Sequence, residues 1–394
     1  MQRDADGRRH GASQVLAVSA LYAAYFTASG FHQPFFAIWL ADRGVASTDI
    51  SVVLAVPIAL RIALAPLFGW SADRAGDRRN VIRVLAVLVL AFALILGQMH
   101  LFWPILIFTA LTMVSWQGIS PIMDATALNL VRAGIAPDYG RLRLWGSVSF
   151  IGASLAGGFI LGRAGPPGVF AAFTGATACL VAAAFLLPPS RGSLAGQPES
   201  GPASPPGRRW VFLAVLVAAA LIQASHMAFN SFGSIYLQRR GYGDATIGAL
   251  WAIAAMSEIG MFWAGPSIAR HLRPLTVLAI AGAAAALRWM LFPLELGLGG
   301  LVLLQLGQAA TFSATYLGLM RFIATTVSER RAATAQSTYA TIQGIASAGA
   351  TLAAGPLFEA YGGGVFFASG TMPLAALAIV IGLTIIRRGD GYGG

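Results

Sequence analysis

The sequence contains no lysine, a single cysteine and few charged residues of either sign. Without lysine there is no Walker phosphate-binding loop, and we find neither an H-E-x-x-H nor a G-x-S-x-G motif. Cys179 has no disulfide partner, so a disulfide-stapled fold is excluded. We therefore predict that the protein is not an enzyme and that it uses no cofactor and no metal.

Long apolar runs dominate what is present. Hydrophobic residues make up 57% of the chain, charged residues 10%, and the mean hydropathy is +0.71. This composition predicts an all-α membrane protein, because each apolar run of about 20 residues is long enough to cross a bilayer as one helix. Twelve such spans are predicted at 15–40, 50–72, 81–99, 102–128, 143–162, 168–187, 211–237, 245–267, 275–293, 298–325, 335–357 and 365–386.

The net charge of +11 comes from arginines that lie singly or in pairs between the apolar runs. That distribution predicts membrane topology and no nucleic-acid partner, because loops rich in arginine remain in the cytoplasm. Both termini are then cytoplasmic and the protein is a multi-pass protein of the inner membrane. The arginines assigned to the cytoplasmic side are Arg74, Arg78, Arg79, Arg83, Arg132, Arg141, Arg208, Arg209, Arg270, Arg273, Arg330, Arg331, Arg387 and Arg388, and those on the opposite side are Arg43, Arg163, Arg239 and Arg240.

The chain matches itself when it is shifted by 197 residues, half its length. For example, Phe35, Arg43 and Gly44 fall on Phe232, Arg240 and Gly241. The repeat predicts two six-helix bundles of the same orientation, at 1–187 and 211–394, joined by a cytoplasmic linker at 188–210 that is rich in Pro, Gly and Ser. Repeats of this kind predict a substrate site near the middle of the membrane.

The loop between spans 2 and 3 carries a recognisable pattern. It resembles G-x-x-x-D-R-x-G-x-R-R, the signature of the major facilitator superfamily, which implies a transporter of twelve helices in two pseudo-symmetric bundles. In this sequence the defined positions of the gating loop are Gly69, Asp73, Arg74, Gly76, Arg78 and Arg79. The second half keeps only a partial copy, with Ala269 in place of the acid. The predicted cytoplasmic latch is therefore formed mainly by the first half.

Two further stretches narrow the resemblance within the superfamily. The stretch at 30–40 reads GFHQPFFAIWL and the stretch at 139–147 reads YGRLRLWGS. They resemble the phenylpropionate permease group and the related lactose permease family of oligosaccharide–proton symporters. The resemblance extends over most of both halves.

This resemblance implies a set of binding residues. It places substrate-binding or ion-paired side chains at Asp124, Arg143, Glu258 and Arg288. Three positions depart from the lactose permease pattern: Gln308 replaces the coupling histidine, Thr311 the neighbouring acid and Phe150 the tryptophan that stacks on sugar. The departures count against a sugar substrate and against the usual proton relay.

Charges inside apolar spans lead to the same residues independently, because an ionisable side chain in a membrane is costly unless it is paired or hydrated. Arg61 lies in the middle of span 2, too deep to reach the surface easily. Arg61, Arg143 and Arg288 outnumber Asp124 and Glu258 by one positive charge. A carboxylate suits that excess, because guanidinium groups bind carboxylates with two hydrogen bonds.

These observations predict a secondary transporter that imports a small aromatic carboxylate together with protons. The predicted substrate-binding residues are Arg61, Asp124, Arg143, Phe150, Glu258, Arg288 and Gln308, and the predicted proton-coupling residues are Glu258 first and Asp124 second. The predicted partners are a small-molecule substrate, protons and the lipid bilayer, with the protein acting as a monomer. Three alternatives stay open: symport of a neutral oligosaccharide or nucleoside, efflux of amphipathic compounds, and a membrane receptor that does not transport.

Overall fold

The computed structural model describes residues 2–74, 77–187 and 209–389, all of them in helices and short connections without a strand. Within these ranges, side chains are described except those of 2–10, 65–74, 266, 268, 269, 329, 330, 333 and 387–389. The helices are α1 (Gln2–Asp42), α2 (Ser47–Arg74), α3 (Arg78–Leu96), α4 (Phe102–Arg132), α5 (Tyr139–Leu186), α6 (Arg209–Ala224), α7 (Met227–Arg239), α8 (Asp244–Ala269), α9 (Pro274–Leu291), α10 (Gly297–Leu306), α11 (Ala314–Thr326), α12 (Glu329–Tyr361) and α13 (Gly364–Gly389).

Four of the predicted spans do not appear as single regular helices. Spans 5 and 6 run together in α5, which has 48 residues and would be about 70 Å long if straight, more than twice the apolar thickness of a bilayer. Gly165 divides it with a φ of 66°, a backbone conformation that glycine adopts at little cost, and Pro166 and Pro167 follow at once. Span 7 is broken between α6 and α7. Span 10 is divided into α10 and α11 by a π-helical turn at Ala309–Ser313.

Nine helices of the described chain are long and apolar enough to cross a membrane. That number counts α5 once, takes α6 and α7 together as Arg209–Arg239, and omits the interrupted span 10 and the more polar α12. Counting the two parts of α5 separately and adding those two spans gives the predicted total. The helices are thus consistent with twelve spans, and the count itself remains a prediction.

Contacts between residues divide the chain into two compact units. The first consists of the described residues within Met1–Asp49, Ala59–Ala195 and Gly241–Ala252. In it α1 packs along α5, and α3 packs against α4 and α5. The close approach of α1 to α5 depends on Gly30, because a Cβ atom there would lie 2.6 Å from the carbonyl oxygen of Phe150.

The second unit consists of the described residues within Ile50–Ile58, Gly196–Arg240 and Ile253–Gly394. Here α13 packs against α9 and α6, α12 packs against α6 and α7, and α11 packs against α9. Buried apolar side chains of these helices form one core, which includes Leu216, Ile222, Leu278, Phe322 and Val380. Most of the predicted linker at 188–210 lies outside the described residues, and α6 begins at Arg209. The two bundle boundaries stay predictions.

Candidate functional site

In the first unit, the carboxylate of Asp124 is the centre of a polar cluster. One of its oxygens, Oδ1, accepts hydrogen bonds from the hydroxyl of Tyr22 at 2.5 Å and from that of Tyr139 at 2.9 Å. Arg143 places a guanidinium nitrogen 3.7 Å from the same oxygen and donates to the Tyr139 hydroxyl at 3.3 Å. The side chains of Asp124 and Arg143 are 32% and 47% exposed, so the pair is partly open.

This cluster depends on three helices. Tyr22 lies on α1, Asp124 near the end of α4 and both Tyr139 and Arg143 in the first turns of α5. Tyr139 and Arg143 are four residues apart, a spacing that brings side chains to the same helix face. The predicted pairing of Asp124 with Arg143 therefore has a geometry that also includes two phenols.

The other two predicted residues of this unit are Arg61 on α2 and Phe150 on α5. The side chain of Arg61 is exposed on α2, and its positive charge acts on the hydroxyl of Tyr25. Phe150 is half-buried on α5, where its backbone faces Gly30. Among the described contacts, neither joins Asp124 or Arg143.

In the second unit, Arg288 is the centre of a second cluster. Its side chain on α9 is buried, with 3% exposure, and it donates to neutral oxygens. It binds the amide oxygen of Gln305 at 2.6 Å, the amide oxygen of Gln308, and the hydroxyl of Thr311 at 3.3 Å. Its planar group also lies over the Trp289 ring, 4.6 Å from the ring centre.

Glu258 reaches this cluster through an amide. Its oxygen Oε1 accepts a hydrogen bond from the Gln308 amide nitrogen at 2.9 Å, and the amide oxygen of Gln308 accepts from Arg288. Gln308 therefore stands between the acid and the guanidinium, and no direct ion pair of Arg288 occurs among the described contacts. The sequence-predicted residues Glu258, Arg288 and Gln308 are brought together by α8, α9 and the segment between α10 and α11.

A family model described as MFS_1 like family matches residues 15–369 of the chain. The chain belongs to the MFS_1 like family. Two known proteins are similar to the chain over most of its length. The chain is 28% identical over 367 residues to the "Probable 3-phenylpropionic acid transporter" of Escherichia coli (strain K12), covering 90% of this chain and 94% of that protein. It is 27% identical to the "Maltose permease" of Geobacillus stearothermophilus, covering 86% of each.

Solved structures support the fold of this family member. The nucleoside transporter NupG superposes with a TM-score of 0.79 over 94% of this chain and 99% of that one, at 15% identity. A bacterial homologue of the lysosomal transporter Spinster, in an inward-facing and occupied conformation, superposes with a TM-score of 0.73 over 94% of this chain and 96% of that one, at 16% identity. The predicted major facilitator fold and the predicted resemblance are thereby confirmed.

As a member of this family the chain is a multi-pass membrane transporter for a small molecule, and its relatives are transporters and not enzymes. The gating loop of the family is only partly described. Asp73 and Arg74 lie at the end of α2 and Gly69 within it, but only the backbone of these three residues is described. Gly76 lies outside the described residues entirely. Arg79 pairs with Asp77, an acid that the signature leaves undefined, at 2.6 Å. The predicted latch role of Asp73 stays a prediction.

Asp77 has a local structural role in this transporter. It precedes α3 with an extended backbone, and its side chain accepts from the backbone nitrogen of Arg79 at 3.1 Å. This is an N-cap, for which aspartate is among the preferred residues. The rule that an acid preceding a helix caps it could have identified Asp77 from the sequence.

Gln305, Tyr22 and Tyr139 were not identified from the sequence as members of the two clusters, because these side chains are uncharged. Gln305 lies three residues before Gln308, a spacing that puts both on one helix face, and that spacing was the available signal. Tyr22 and Tyr139 carried no such signal, because a tyrosine in a membrane helix more often packs or lies at the interface.

Proposed function

We propose that this protein is a secondary active transporter that carries a small aromatic carboxylate, such as a phenylpropionate-like acid, together with protons. In this proposal it acts as a monomer in the inner membrane. The arginine-rich loops favour a topology with both termini in the cytoplasm. Family membership establishes a transporter. The choice of an aromatic carboxylate as its substrate rests on the contacts of the Asp124 and Arg288 clusters.

The observation that carries the proposal is that Arg288 is buried and that its described hydrogen-bond partners are neutral. A buried guanidinium keeps its charge, and removing a charge from water is costly unless a partner compensates. The described partners of Arg288 are neutral, and its Nε and the amide nitrogen of Gln305 have no acceptor among the described residues. Two buried donors beside one positive charge suit the two oxygens of a carboxylate.

The charge balance of both units supports the same class of substrate. Asp124 is compensated by Arg143 and two phenols, and Glu258 faces Arg288 only through Gln308. Arg61 has no acid among its described contacts. One cation therefore remains in excess, which an anion balances and a neutral sugar does not.

The relatives support an aromatic acid and keep a second candidate. The printed name of the Escherichia coli relative gives 3-phenylpropionic acid as its substrate, at 28% identity. The similarity to a maltose permease, at 27% identity, favours a neutral oligosaccharide as the second candidate. The half-buried Phe150 is a candidate contact for either ring system.

For proton coupling, Glu258 is the first candidate and Asp124 the second. Glu258 accepts one described hydrogen bond and is linked to Arg288 through Gln308, whereas Oδ1 of Asp124 accepts two and lies beside Arg143. Of the two acids, Glu258 therefore has fewer described partners and is the one connected to the candidate anion site.

The substrate class is tested by thermal stabilisation of the purified protein, which reports binding without assuming transport. The probes are 3-phenylpropionate, maltose and a nucleoside. We expect 3-phenylpropionate to raise the unfolding temperature of the wild type and to lose at least about tenfold in affinity with Arg288→Gln, since a charge-assisted hydrogen bond contributes about 1.5–3 kcal/mol. Arg61→Gln is the second variant, and Arg270→Gln at an exposed site is the control.

Stabilisation of the wild type by maltose and not by 3-phenylpropionate would reject the acid in favour of the second candidate. Undiminished binding of 3-phenylpropionate to both folded variants, Arg288→Gln and Arg61→Gln, would remove these arginines from the site.

A further inference from the structure

A hydrogen bond between two side chains joins the breaks of two interrupted helices in the second unit. His226 lies in the break between α6 and α7, and Thr311 lies in the π-helical turn between α10 and α11. The imidazole Nε2 is 3.0 Å from the Thr311 hydroxyl oxygen, and the two side chains are 2% and 1% exposed. Helix breaks in a membrane require their free backbone groups to be satisfied inside the protein. Here Gln223, just before the first break, donates to the carbonyl of Phe312 in the second at 3.2 Å.

The surroundings of His226 fix which of its nitrogens carries the hydrogen. Nδ1 lies 3.0 Å from the carbonyl oxygen of Ile222. A carbonyl can only accept, so Nδ1 must be the donor, and in the neutral imidazole Nε2 is the acceptor. Thr311 then donates its hydroxyl hydrogen to Nε2 while its oxygen accepts from Arg288 at 3.3 Å. Arg288, Thr311 and His226 therefore form a chain of hydrogen bonds that all run in one direction.

The same side chains accommodate a second proton on His226 without moving. A protonated Nε2 donates to the Thr311 oxygen, so the hydroxyl hydrogen of Thr311 must turn to another acceptor. The carbonyl oxygen of Gln308 lies 3.3 Å from that hydroxyl. Every group is hydrogen-bonded in both arrangements, and the hydroxyl of a threonine rotates easily between two acceptors.

Burial opposes the second arrangement first, because a charged imidazole would be removed from water, and His226 is 2% exposed. The positive charge of Arg288, joined to His226 through Thr311, opposes it as well. Glu258 lies farther along, beyond Gln308. The aromatic rings that face His226, those of Trp289 at 5.1 Å and Phe312 at 5.7 Å, are uncharged. An anion at Arg288 would reduce the repulsion and favour the protonated imidazole.

We propose that His226 is a proton-binding site linked through the Thr311 hydroxyl to the anion that Arg288 binds. The inference rests on the proposed function and names a proton carrier beyond Glu258. The proton comes from solvent and adds to Nε2, the Thr311 hydroxyl turns to Gln308, and no other bond forms or breaks. Each bound carboxylate then brings a proton with it, although the coupling histidine of the lactose permease pattern is replaced by Gln308.

The test is the number of protons taken up when purified full-length protein binds 3-phenylpropionate, measured by calorimetry in buffers of different ionisation enthalpy. Measurements between about pH 6 and 8 keep the ligand ionised, because a carboxylic acid has a pKa of about 4–5. Proton uptake makes affinity fall as pH rises, by up to about tenfold per pH unit for one fully linked proton. We expect Glu258→Gln to retain the part of this proton uptake that His226 carries. His226→Gln keeps a polar contact to Thr311 but does not titrate, so it should lose that part.

Thr311 supplies a second pair of variants in case His226→Gln does not fold. Thr311→Ser keeps the hydroxyl and should keep the proton uptake, whereas Thr311→Val removes the hydroxyl and should reduce it. Binding with the same proton uptake in wild type, His226→Gln and Thr311→Val would overturn the inference alone. Failure of the wild type to bind 3-phenylpropionate at any pH would instead overturn the proposed function, and the inference with it.

Discussion

At the scale of single residues, one oxygen of Asp124 receives polar contacts from three side chains. Two phenol hydroxyls donate to it and a guanidinium lies 3.7 Å away. Hydrogen bonds to an ionised acceptor are stronger than those between neutral groups. The two phenols therefore connect Asp124 on α4 to α1 and α5, and Tyr22 is the donor that makes the shorter of the two bonds.

We expect Tyr22→Phe to destabilise the protein by about 1–3 kcal/mol, since it removes a hydrogen bond to a charged group. The measurement is the thermal or denaturant unfolding midpoint of the purified transporter. Tyr25→Phe is the comparison, because Tyr25 is on the same helix and its hydroxyl is hydrogen-bonded to the neutral Ser120 and not to a charged group. Equal midpoints for Tyr22→Phe and wild type would show that the 2.5 Å contact contributes nothing measurable to stability.

The charged members of the two clusters could be predicted from the sequence, and most of the neutral members could not. Arg288 and Glu258 stand out because a charge in an apolar run needs an explanation. Gln305, buried beside Arg288, does not stand out, because an amide in a membrane helix commonly joins two helices. Nor does the sequence reveal that Gln308 separates Glu258 from Arg288, since that depends on the turn between α10 and α11.

At the scale of helices, two arginines related by the repeat hold equivalent helix ends. Arg43 donates to the carbonyls of Gly97, at 2.7 Å, and Met99, just after α3. Its repeat partner Arg240 donates to the carbonyl of Pro293, at 3.4 Å, just after α9. The last carbonyls of a helix lack intrahelical partners and carry partial negative charge, so a cation there is stabilising. The internal match at an offset of 197 residues thus corresponds to a shared contact in each half.

We expect Arg43→Gln to lower stability by about 1.5–3 kcal/mol, because it removes a charged donor from two carbonyls. It also removes the cation from the face of Trp39, whose ring centre lies 4.2 Å from the guanidinium carbon. Unfolding midpoints of the variant and the wild type provide the measurement. The control is Arg163→Gln, an exposed arginine whose described contact is the ring of Phe159. If the two variants were equally stable, the carbonyl contacts of Arg43 would not matter.

The ends of the helices were easier to predict than their interruptions. Apolar length and arginine positions place the spans, because both follow from the thickness and polarity of the bilayer. The π-helical turn at Ala309–Ser313 and the break at His226 leave no comparable mark. At the π-helical turn the backbone nitrogen of Ala314 bonds to the carbonyl of Ala309, five residues back, and the carbonyl of Phe312 accepts from Gln223 of another helix. The division at Gly165 was predictable in kind, as a glycine followed by two prolines ends a helix.

At the scale of the whole molecule, the proposed accumulation driven by protons requires that substrate and proton move together. Glu258 is connected to the candidate anion site by the hydrogen bonds through Gln308, so its protonation alters the charge that Arg288 experiences. A transporter whose proton carrier is removed can still change conformation with substrate bound. It should then exchange substrate across the membrane without accumulating it.

We expect Glu258→Gln, reconstituted in vesicles, to exchange labelled 3-phenylpropionate at a rate comparable to wild type and to lose the part of the accumulation driven by a pH gradient that does not depend on His226. The glutamine keeps the size of the side chain and its contact with Gln308 but cannot release a proton. Asp124→Asn is the comparison, and because Asp124 already accepts two phenol hydroxyls beside Arg143, we expect it to impair binding as well as accumulation. Undiminished uphill uptake in Glu258→Gln would remove Glu258 from the mechanism. Wild-type uptake that is indifferent to a protonophore would reject proton coupling altogether.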